Sequence, residues 1–229
     1  MQDLDDARGE CRAHGNMGAV HLSLANYINA MKCFHEQLDK AQEVKEPFLE
    51  ATAHGNLGIA KMNLSRHEEA IGCFEQQIAC LEQAAAASSS PIGMHQHQDL
   101  EANSTSLQAS KDVEKGRAFG HLGHCYEAIN DFEEAAKCHE QYLSHSLRAK
   151  SVRDQDKAYR ELGQAYKHLG NLQQALVCFE KRLVVAHDLN HPGGDAKRTA
   201  YGELGEIHAM LGNYEQAISC MEHQLQDAR

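Results

Sequence analysis

A Leu-Gly pair, or Met-Gly in the first copy, marks the same place in five segments of this chain of 229 residues. Each of these marker glycines has an Ala five residues before it, an Ala twelve residues after it and a Cys fifteen residues after it. The markers are Gly18, Gly58, Gly123, Gly163 and Gly205, spaced by about 40 residues except for one longer interval between Gly58 and Gly123. Such a period indicates an array of supersecondary units, each of which buries its apolar face only against its neighbours.

Each segment carries two apolar stripes at helical spacing. In the fourth segment the first stripe contains Ala158 and Leu162, and the second, after a polar turn, contains Ala175 and Phe179. We therefore predict an all-α fold, a right-handed α-solenoid of five helix pairs. A glycine inside a helix costs about 1 kcal/mol relative to alanine, so we expect the marker glycines to let the two helices of a pair approach closely.

The longer interval contains an insertion. It is rich in Ser, Gln, Ala and Asn and has no sustained apolar period, which favours a disordered, low-complexity segment. The final segment ends inside its second helix without a polar capping helix, so we expect the chain to be a fragment of a larger protein. The predicted organisation is repeat 1 at 1–45, repeat 2 at 46–85, the insertion at 86–110, repeat 3 at 111–150, repeat 4 at 151–191 and repeat 5 at 192–229.

The charge balance narrows the possible partners. The chain has 33 Asp and Glu residues against 22 Lys and Arg residues, a formal net charge of −11, whereas binding to nucleic-acid phosphates needs basic surfaces. No apolar run approaches the roughly 20 residues of a membrane helix, and the chain start lacks the basic and apolar regions of a signal peptide. We expect a cytoplasmic protein whose partner is neither nucleic acid nor a membrane.

The repeated cysteines favour packing over disulfide or metal chemistry. Helices of adjacent layers lie about 10 Å apart, which is too far for successive cysteines to form a disulfide or share a Zn²⁺ ion. His121, His124 and Cys125 share one predicted helix face, and Cys138-His139 lies on the partner helix, yet Cys138 belongs to the repeated set. We expect no metal and no cofactor, with a metal-dependent regulatory module as an open alternative.

Catalytic motifs do not stand apart from the repeat pattern. The sequence has no Gly-rich phosphate loop with a following Lys, no Ser-His-Asp arrangement and no paired-carboxylate motif. We predict that the chain is not an enzyme and has no catalytic residue.

The repeated unit resembles the tetratricopeptide repeat. The 40-residue unit is similar to the long subclass found in mitotic adaptors of the Pins type, and the strings at 174–187 and 212–220 resemble the tetratricopeptide repeat protein 28 family. The fourth segment carries the family's pattern in full, with Tyr159, Leu162, Gly163, Tyr166, Ala175 and Phe179.

This resemblance implies a non-catalytic scaffold from a large mitotic or cytoskeletal protein that organises the spindle midzone and midbody. The implied partners are extended protein segments, including mitotic kinases or spindle components, and the implied locations are the centrosome, spindle midzone and midbody. The alternative is a Pins-type polarity adaptor that couples G-protein complexes to spindle orientation.

The resemblance also implies a binding groove, because first helices of tetratricopeptide pairs line the concave face. Asn16 and Asn56 stand two residues before their markers, where an Asn in related repeats hydrogen-bonds the backbone of an extended peptide. Nearby cations would meet acidic peptide side chains, and a glycine three residues before the marker in four units would lower the groove floor. The predicted groove residues are Arg12, Asn16, Asn56, Arg117, His121, Lys157, Arg160 and Gln164.

Overall fold

The computed structural model describes the backbone of residues 2–88, 99–189 and 195–226, and the side chains of 6–86, 108–189 and 195–226. These residues form ten α-helices and no strand. The prediction of an all-α solenoid of five helix pairs is therefore confirmed, while its right-handed course stays a prediction. The helices are α1 (Gln2–Ser23), α2 (Tyr27–Val44), α3 (Pro47–Asn63), α4 (His67–Ser88), α5 (Asp99–Ala128), α6 (Phe132–Arg148), α7 (Val152–His168), α8 (Leu172–Asp188), α9 (Asp195–Met210) and α10 (Tyr214–Gln226).

The chain divides into two compact units. Unit 1 consists of Met1–Lys111 with His124–Ile129, and unit 2 of Asp112–Gly123 with Asn130–Arg229. In unit 1, α2 packs against both α1 and α3, and α3 packs against α4. In unit 2, α7 packs against α6 and α8, and α9 against α8 and α10. The second helix of a pair thus contacts the first helix of the same pair and also the first helix of the next pair. We call the contact with the next pair a seam.

The apolar core lies in these seams. In the α2–α3 seam, Ala30 and Phe34 are buried against Leu57 and Ala60. The α8–α9 seam repeats the arrangement at matching distances from the marker glycines, with Ala175, Phe179, Leu204 and Ile207. The seam is the repeated packing unit of both halves of the chain.

Each marker glycine makes room for a side chain of its partner helix. A Cβ atom on Gly58 would lie 2.6 Å from the ring of Phe74, and one on Gly163 would lie 2.7 Å from the ring of Phe179. In the fifth pair a Cβ on Gly205 would lie 3.3 Å from Met221. Close approach was expected, and the structure shows that a ring fills the space left by the missing methyl group in the first four pairs, whereas the flexible Met221 does so in the fifth.

The turn inside a helix pair uses a left-handed residue. Its φ is 55° at Ala25, 58° at Ser65, 62° at Asn130, 75° at Gly170 and 80° at Gly212. Only glycine, and to a lesser degree Asn, adopts this conformation without a steric penalty.

The structure differs from the sequence-based expectation in the insertion at 86–110. Helix α4 continues to Ser88, and α5 begins at Asp99, so residues 99–110 are helical. Lengthening an existing helix needs no new nucleus, which is the reason that weak helix formers extend the first helix of the third pair. Residues 89–98 lie outside the described part of the chain.

All eight cysteines are free thiols. Cys73, Cys138 and Cys178 are buried, while Cys33 and Cys220 are partly buried. Burial raises the pKa of Cys178 to about 11. The prediction that these cysteines are small packing residues agrees with their burial.

Among the residues that the structure describes, no helix combines the length and apolar content required to cross a bilayer.

Candidate peptide-binding face

A polar side chain of each second helix reaches toward the first helix beside the predicted groove. It stands nineteen residues after the marker glycine, as Gln37, Gln77, Tyr142, Arg182 and Gln224. We call these the seam polar residues.

The glycines three residues before the markers accommodate these side chains. A Cβ atom on Gly15 or on Gly55 would lie 2.7 Å from the amide nitrogen of Gln37 or Gln77, and one on Gly120 would lie 3.0 Å from the ring of Tyr142. From the sequence, these glycines were expected to lower the groove floor. The structure corrects this expectation, because the freed space is occupied by the seam polar residue.

In unit 1 the seam polar contact is neutral. Asn56 Nδ2 donates a hydrogen bond of 3.0 Å to Oε1 of the buried Gln37. Asn56, which is predicted to bind a peptide, therefore already makes one amide contact within the chain. Arg12 and Asn16 lie one helical turn apart on α1, and both are exposed.

In unit 2 an ionic cluster forms around Asp154. Arg117 donates to it through Nε at 3.2 Å and Nη2 at 3.4 Å, Tyr142 Oη donates at 3.1 Å, and Ser151 Oγ donates at 2.5 Å. Burial by itself would raise the pKa of Asp154, but the hydrogen bonds from Ser151, Arg117 and Tyr142 outweigh it and hold the pKa below 3.8. Asp154 is therefore an ionised, fully bonded anchor for the guanidinium group of Arg117.

A second ionic cluster surrounds the buried Arg182 of α8. Its Nε donates to Asp156 at 3.0 Å, its Nη2 donates to Thr199 Oγ1 at 3.0 Å, and its Nη1 donates to Glu203. Gln164 Nε2 also donates to Glu203, at 3.5 Å. Gln164, one of the predicted groove residues, thus helps to fix this cluster between α7 and α9.

Two predicted groove cations, Arg117 and Arg160, each form an ion pair with a less exposed carboxylate. Arg160 donates to Glu161 through Nε at 3.2 Å and Nη2 at 2.6 Å. The side chains of Arg117 and Arg160 are 55% and 46% exposed, whereas those of their partners Asp154 and Glu161 are 3% and 12% exposed. The negative charge lies below the surface and the guanidinium groups face solvent.

The structure groups the predicted residues within each unit. Lys157, Arg160 and Gln164 occupy successive turns of one face of α7, and Lys157 is exposed. His121 is partly buried, one turn after Arg117 on α5. In unit 1, Arg12 and Asn16 lie on α1 and Asn56 on α3, and these two helices touch.

Sequence reasoning missed the residues beneath this face. Tyr142, Asp154, Arg182 and Glu203 were not proposed, although the spacing of Tyr142 and Arg182 from the marker glycines carries a signal. Position nineteen after the marker is polar or Tyr in every unit, on a helix face that is otherwise apolar. A polar residue that recurs on a buried stripe indicates a partner within the fold.

The histidines considered as metal ligands have packing or surface contacts. His139 is fully buried and its ring lies against Gly123, in the place that Phe34 and Phe179 occupy in other pairs. His124 Nδ1 lies 3.1 Å from Glu127 on the same helix. These contacts explain both histidines without an ion, and the expectation of no metal stays a prediction.

A separate apolar cavity of about 500 Å³ lies between α6, α7 and α8. Leu143, Tyr159 and Val177 contribute to its walls, and Tyr166 Oη donates to Glu140 at 2.5 Å at its edge. This cavity was not predicted from the sequence, because its walls come from three helices.

The comparisons with known proteins concern both sequence and fold. Residues 118–151 and 154–228 match two family models that are each described as Tetratricopeptide repeat. No curated protein sequence matches the chain significantly, so the resemblance to the tetratricopeptide repeat protein 28 family stays a prediction.

Solved structures share the fold at low sequence identity. BtubC from P. vanneervenii is similar over 99% of this chain and 87% of its own, with a TM-score of 0.76 and 16% identity. The putative kinesin light chain repeats of Podosopora anserina are similar over 94% of this chain and 93% of theirs, with a TM-score of 0.69 and 14% identity. YrrB, described as a TPR protein with an unusual peptide-binding site, is similar over 99% of this chain and 90% of its own, with a TM-score of 0.61 and 15% identity.

The family models cover the third to fifth pairs, and the structural likeness extends over nearly all of the chain. Tetratricopeptide repeats are therefore identified at residues 118–151 and 154–228, and the structural likeness shows that nearly all of the chain shares the fold of the solved structures.

Proposed function

We propose that this chain is a non-catalytic interaction scaffold that binds an extended segment of a partner protein along its first helices. The observation that carries the proposal is the layered charge of unit 2, where exposed guanidinium groups stand on buried carboxylates. Such groups are held in place before a ligand arrives, which lowers the entropy cost of binding. The tetratricopeptide fold supports an interaction role, since its members are generally scaffolds rather than enzymes.

The cations suit an extended peptide with acidic side chains. A guanidinium group has five N–H donors, and the contacts of Arg160 with Glu161 use two of its nitrogen atoms. Lys157, one turn before Arg160, adds a mobile ammonium group at an exposed position. A carboxylate of the ligand would therefore meet Lys157 and Arg160 together, and Arg117 would meet a second acidic side chain.

The amides of unit 1 suit a peptide backbone. Asn16 is exposed, and Asn56 keeps its carbonyl oxygen as an acceptor while Nδ2 donates to Gln37. An extended peptide offers alternating N–H and C=O groups, which an Asn side chain pairs with through both of its ends. The peptide-binding site in the description of YrrB supports this type of ligand.

The test uses a peptide array to find ligands and fluorescence polarisation to measure their affinity for the purified chain. Lys157→Ala combined with Arg160→Ala should weaken binding of acidic peptides at least about tenfold, because each charge-assisted hydrogen bond contributes about 1.5–3 kcal/mol. Lys137→Ala is the matched control, since Lys137 is an exposed cation on the second helix α6 that pairs only locally with Glu134. Equal affinities for the parent and the double variant, or an array without any bound peptide, would contradict the proposal.

We further propose that the scaffold acts in a cytoplasmic, mitotic or cytoskeletal setting, at the spindle midzone, midbody or centrosome. The support is the resemblance of the strings at 174–187 and 212–220 to the tetratricopeptide repeat protein 28 family. Imaging of the tagged chain in dividing cells tests this, and a uniform distribution through mitosis argues against it. Binding to a complex of G-protein regulators instead would favour the Pins-type alternative.

A further inference from the structure

The cavity between α6, α7 and α8 is separate from the proposed peptide-binding face, because none of the predicted groove residues lines it. Its volume of about 500 Å³ lies within the range of small-molecule pockets. All three helices belong to unit 2. The apolar and aromatic side chains of its wall are Leu143 of α6, Tyr159, Leu162 and Tyr166 of α7, and Val177 of α8.

These side chains are not part of the repeated pattern. We compare them with the residues of the second pair that stand at the same distances from the marker glycine. Tyr166 is replaced there by Lys61, whose ammonium group lies 3.5 Å from a carboxylate oxygen of Glu69. Val177 is replaced by Gly72, which has no side chain to form a wall. Packing of the repeat therefore does not require an aromatic cavity at this place.

One cation stands at the rim of the cavity. Lys181 of α8 contributes to the wall and is exposed. It forms no hydrogen bond or ion pair with any residue in the described part of the chain. The residues one turn away on α8 are Val177, Cys178, Val184 and Val185, so no carboxylate stands at the spacing that pairs charges along a helix. The ammonium group of Lys181 can therefore pair with a ligand.

The α6 wall carries a carboxylate that already has a partner. Glu140 accepts a hydrogen bond of 2.5 Å from Tyr166 Oη. Burial and, to a smaller extent, this hydrogen bond raise the pKa of Tyr166, so its hydroxyl group keeps the proton that it donates. Because Glu140 repels an acid placed beside it, an acidic ligand group is favoured at the α8 wall, next to Lys181.

We propose that this cavity binds a small amphipathic anion, a molecule with an aromatic or branched apolar body and one carboxylate or other acidic group. The body packs between Leu143, Tyr159 and Val177, and the acidic group forms an ion pair with Lys181. A recess walled by three helices suits a compact ligand, whereas an extended peptide needs a continuous groove. This inference is independent of the peptide-binding function.

The test uses two fluorescent probes with the same ring systems. Anilinonaphthalene sulfonate carries an acidic group, and phenylnaphthylamine lacks it. Both should bind the purified chain, the sulfonate more tightly. Methyl signals of Leu143, Leu162 and Val177 should shift in NMR spectra when either probe is added, because these side chains line the cavity.

The first pair of variants tests the charge. Lys181→Met removes the ammonium group and keeps a side chain of similar length. It should weaken binding of the sulfonate about fivefold, because one charge-assisted contact is lost at an exposed rim, and should change binding of the uncharged probe less than about twofold. Lys181→Arg should restore the affinity. Lys137→Met is the matched control, since Lys137 is an exposed cation of α6 that pairs with Glu134.

The second pair of variants tests the cavity itself. Val177→Trp places an indole ring at the rim and should weaken binding of both probes at least about tenfold, because the ring occupies the space of the ligand. Val184→Trp is the matched control on the same helix, since Val184 does not line the cavity. Val177 and Val184 are 53% and 64% exposed, so circular dichroism should show the helix content of the parent for both variants.

Four results would overturn the proposal. A chain that binds neither probe has no such site. Bound probe that leaves the cavity methyl signals unchanged occupies another surface. Equal affinities of Val177→Trp and Val184→Trp would show that the cavity is not used. A Lys181→Met variant that keeps its affinity for the sulfonate, or loses affinity equally for both probes, would show that the ligand is not selected by its negative charge.

Discussion

The two units share their apolar packing and differ in the polar contact beside it. In the α2–α3 seam of unit 1 the contact joins the neutral amides Gln37 and Asn56. In the α8–α9 seam of unit 2, the residues at the same distances from the marker glycines are Arg182 and Glu203, and they form an ion pair. The position of the polar contact is thus the same in both repeats, while the residues that form it are neutral in one and charged in the other.

This difference in polar contact has consequences both for stability and for ligand recognition. A neutral amide pair satisfies buried groups at little electrostatic cost, whereas a buried ion pair carries a desolvation penalty that only complete pairing offsets. Unit 2 meets this condition because Arg182 contacts Asp156 and Thr199 as well as Glu203. Such a network also holds charged groups in fixed positions beneath the proposed peptide-binding face.

The sharpest test of the comparison removes one seam polar residue from each unit. Arg182→Ala leaves Asp156 and Glu203 partly buried without their cation, and we expect a loss of about 3–5 kcal/mol in the free energy of unfolding. Gln37→Ala in unit 1 should cost about 1–2 kcal/mol, since it removes one neutral hydrogen bond and its packing. Denaturant titrations followed by circular dichroism, with amide hydrogen exchange to locate the effect, provide the measurement.

Lys181→Ala is the control for Arg182→Ala, because Lys181 is the exposed neighbour on α8. Its effect should stay within about 0.5 kcal/mol. Equal losses for Gln37→Ala and Arg182→Ala would show that the ionic and neutral seams do not differ in energy.

A second prediction concerns the marker glycines of unit 2. Gly163→Ala should destabilise by about 1–3 kcal/mol, because the new methyl group meets the rigid ring of Phe179 at 2.7 Å. Gly205→Ala should change stability by less than about 1 kcal/mol, since Met221 is flexible and the Cβ would lie 3.3 Å from it. Thermal unfolding of both variants distinguishes the sites, and an equal loss at Gly205 would contradict the role assigned to the ring.

The sequence predicted the parts of the fold that depend on periodicity. Five helix pairs, the marker glycines and the buried cysteines follow from residues that recur at fixed distances, because one packing solution is used five times. The helical part of α5 before residue 111 was missed, because that stretch lacks the repeat pattern. It extends the predicted first helix of the third pair toward its N-terminus.

The candidate site was predicted less completely. Arg117 and Arg160 were proposed as cations for a ligand, and the structure shows that each also pairs with a carboxylate of the chain. Asp154 stands four residues before Ala158 in a segment of charged residues, and nothing in that local pattern marks it as buried. Its partners come from three helices or turns, so their convergence follows from tertiary packing rather than from spacing along the chain.

A third prediction uses pH to sharpen the contrast between the units. Ser151 precedes α7 but its hydroxyl bonds Asp154 rather than capping the helix. Ser151→Ala should raise the folded-state pKa of Asp154 toward 3.8, because one donor that favours the ionised form is lost. Carboxylate NMR titration measures this shift directly.

The sign of the accompanying stability change follows from linkage. The folded-state pKa of Asp154 lies below its unfolded value, so its contribution is present above pH 3.8 and is lost as the pH falls through the folded-state pKa. Ser151→Ala should therefore cost about 1–2 kcal/mol at neutral pH and progressively less in acid. Gln37→Ala is the comparison in unit 1, and its cost should not change over the same range, because neither Gln37 nor Asn56 titrates. A pH-independent cost of Ser151→Ala would contradict the ionised state assigned to Asp154.

The smallest expected effect concerns the turns inside the helix pairs, where unit 1 has the less suitable residues. Ala25 and Ser65 have φ values of 55° and 58°, whereas unit 2 places Gly170 and Gly212 at the same position with φ values of 75° and 80°. Ala25→Gly should stabilise by about 0.5–1 kcal/mol, since relief of the left-handed strain exceeds the added flexibility of the unfolded chain. Gly212→Ala should destabilise by a similar amount, and the melting temperatures of the two variants should move in opposite directions. A shift of both in the same direction would show that neighbouring contacts, rather than the turn residue itself, set the stability of these turns.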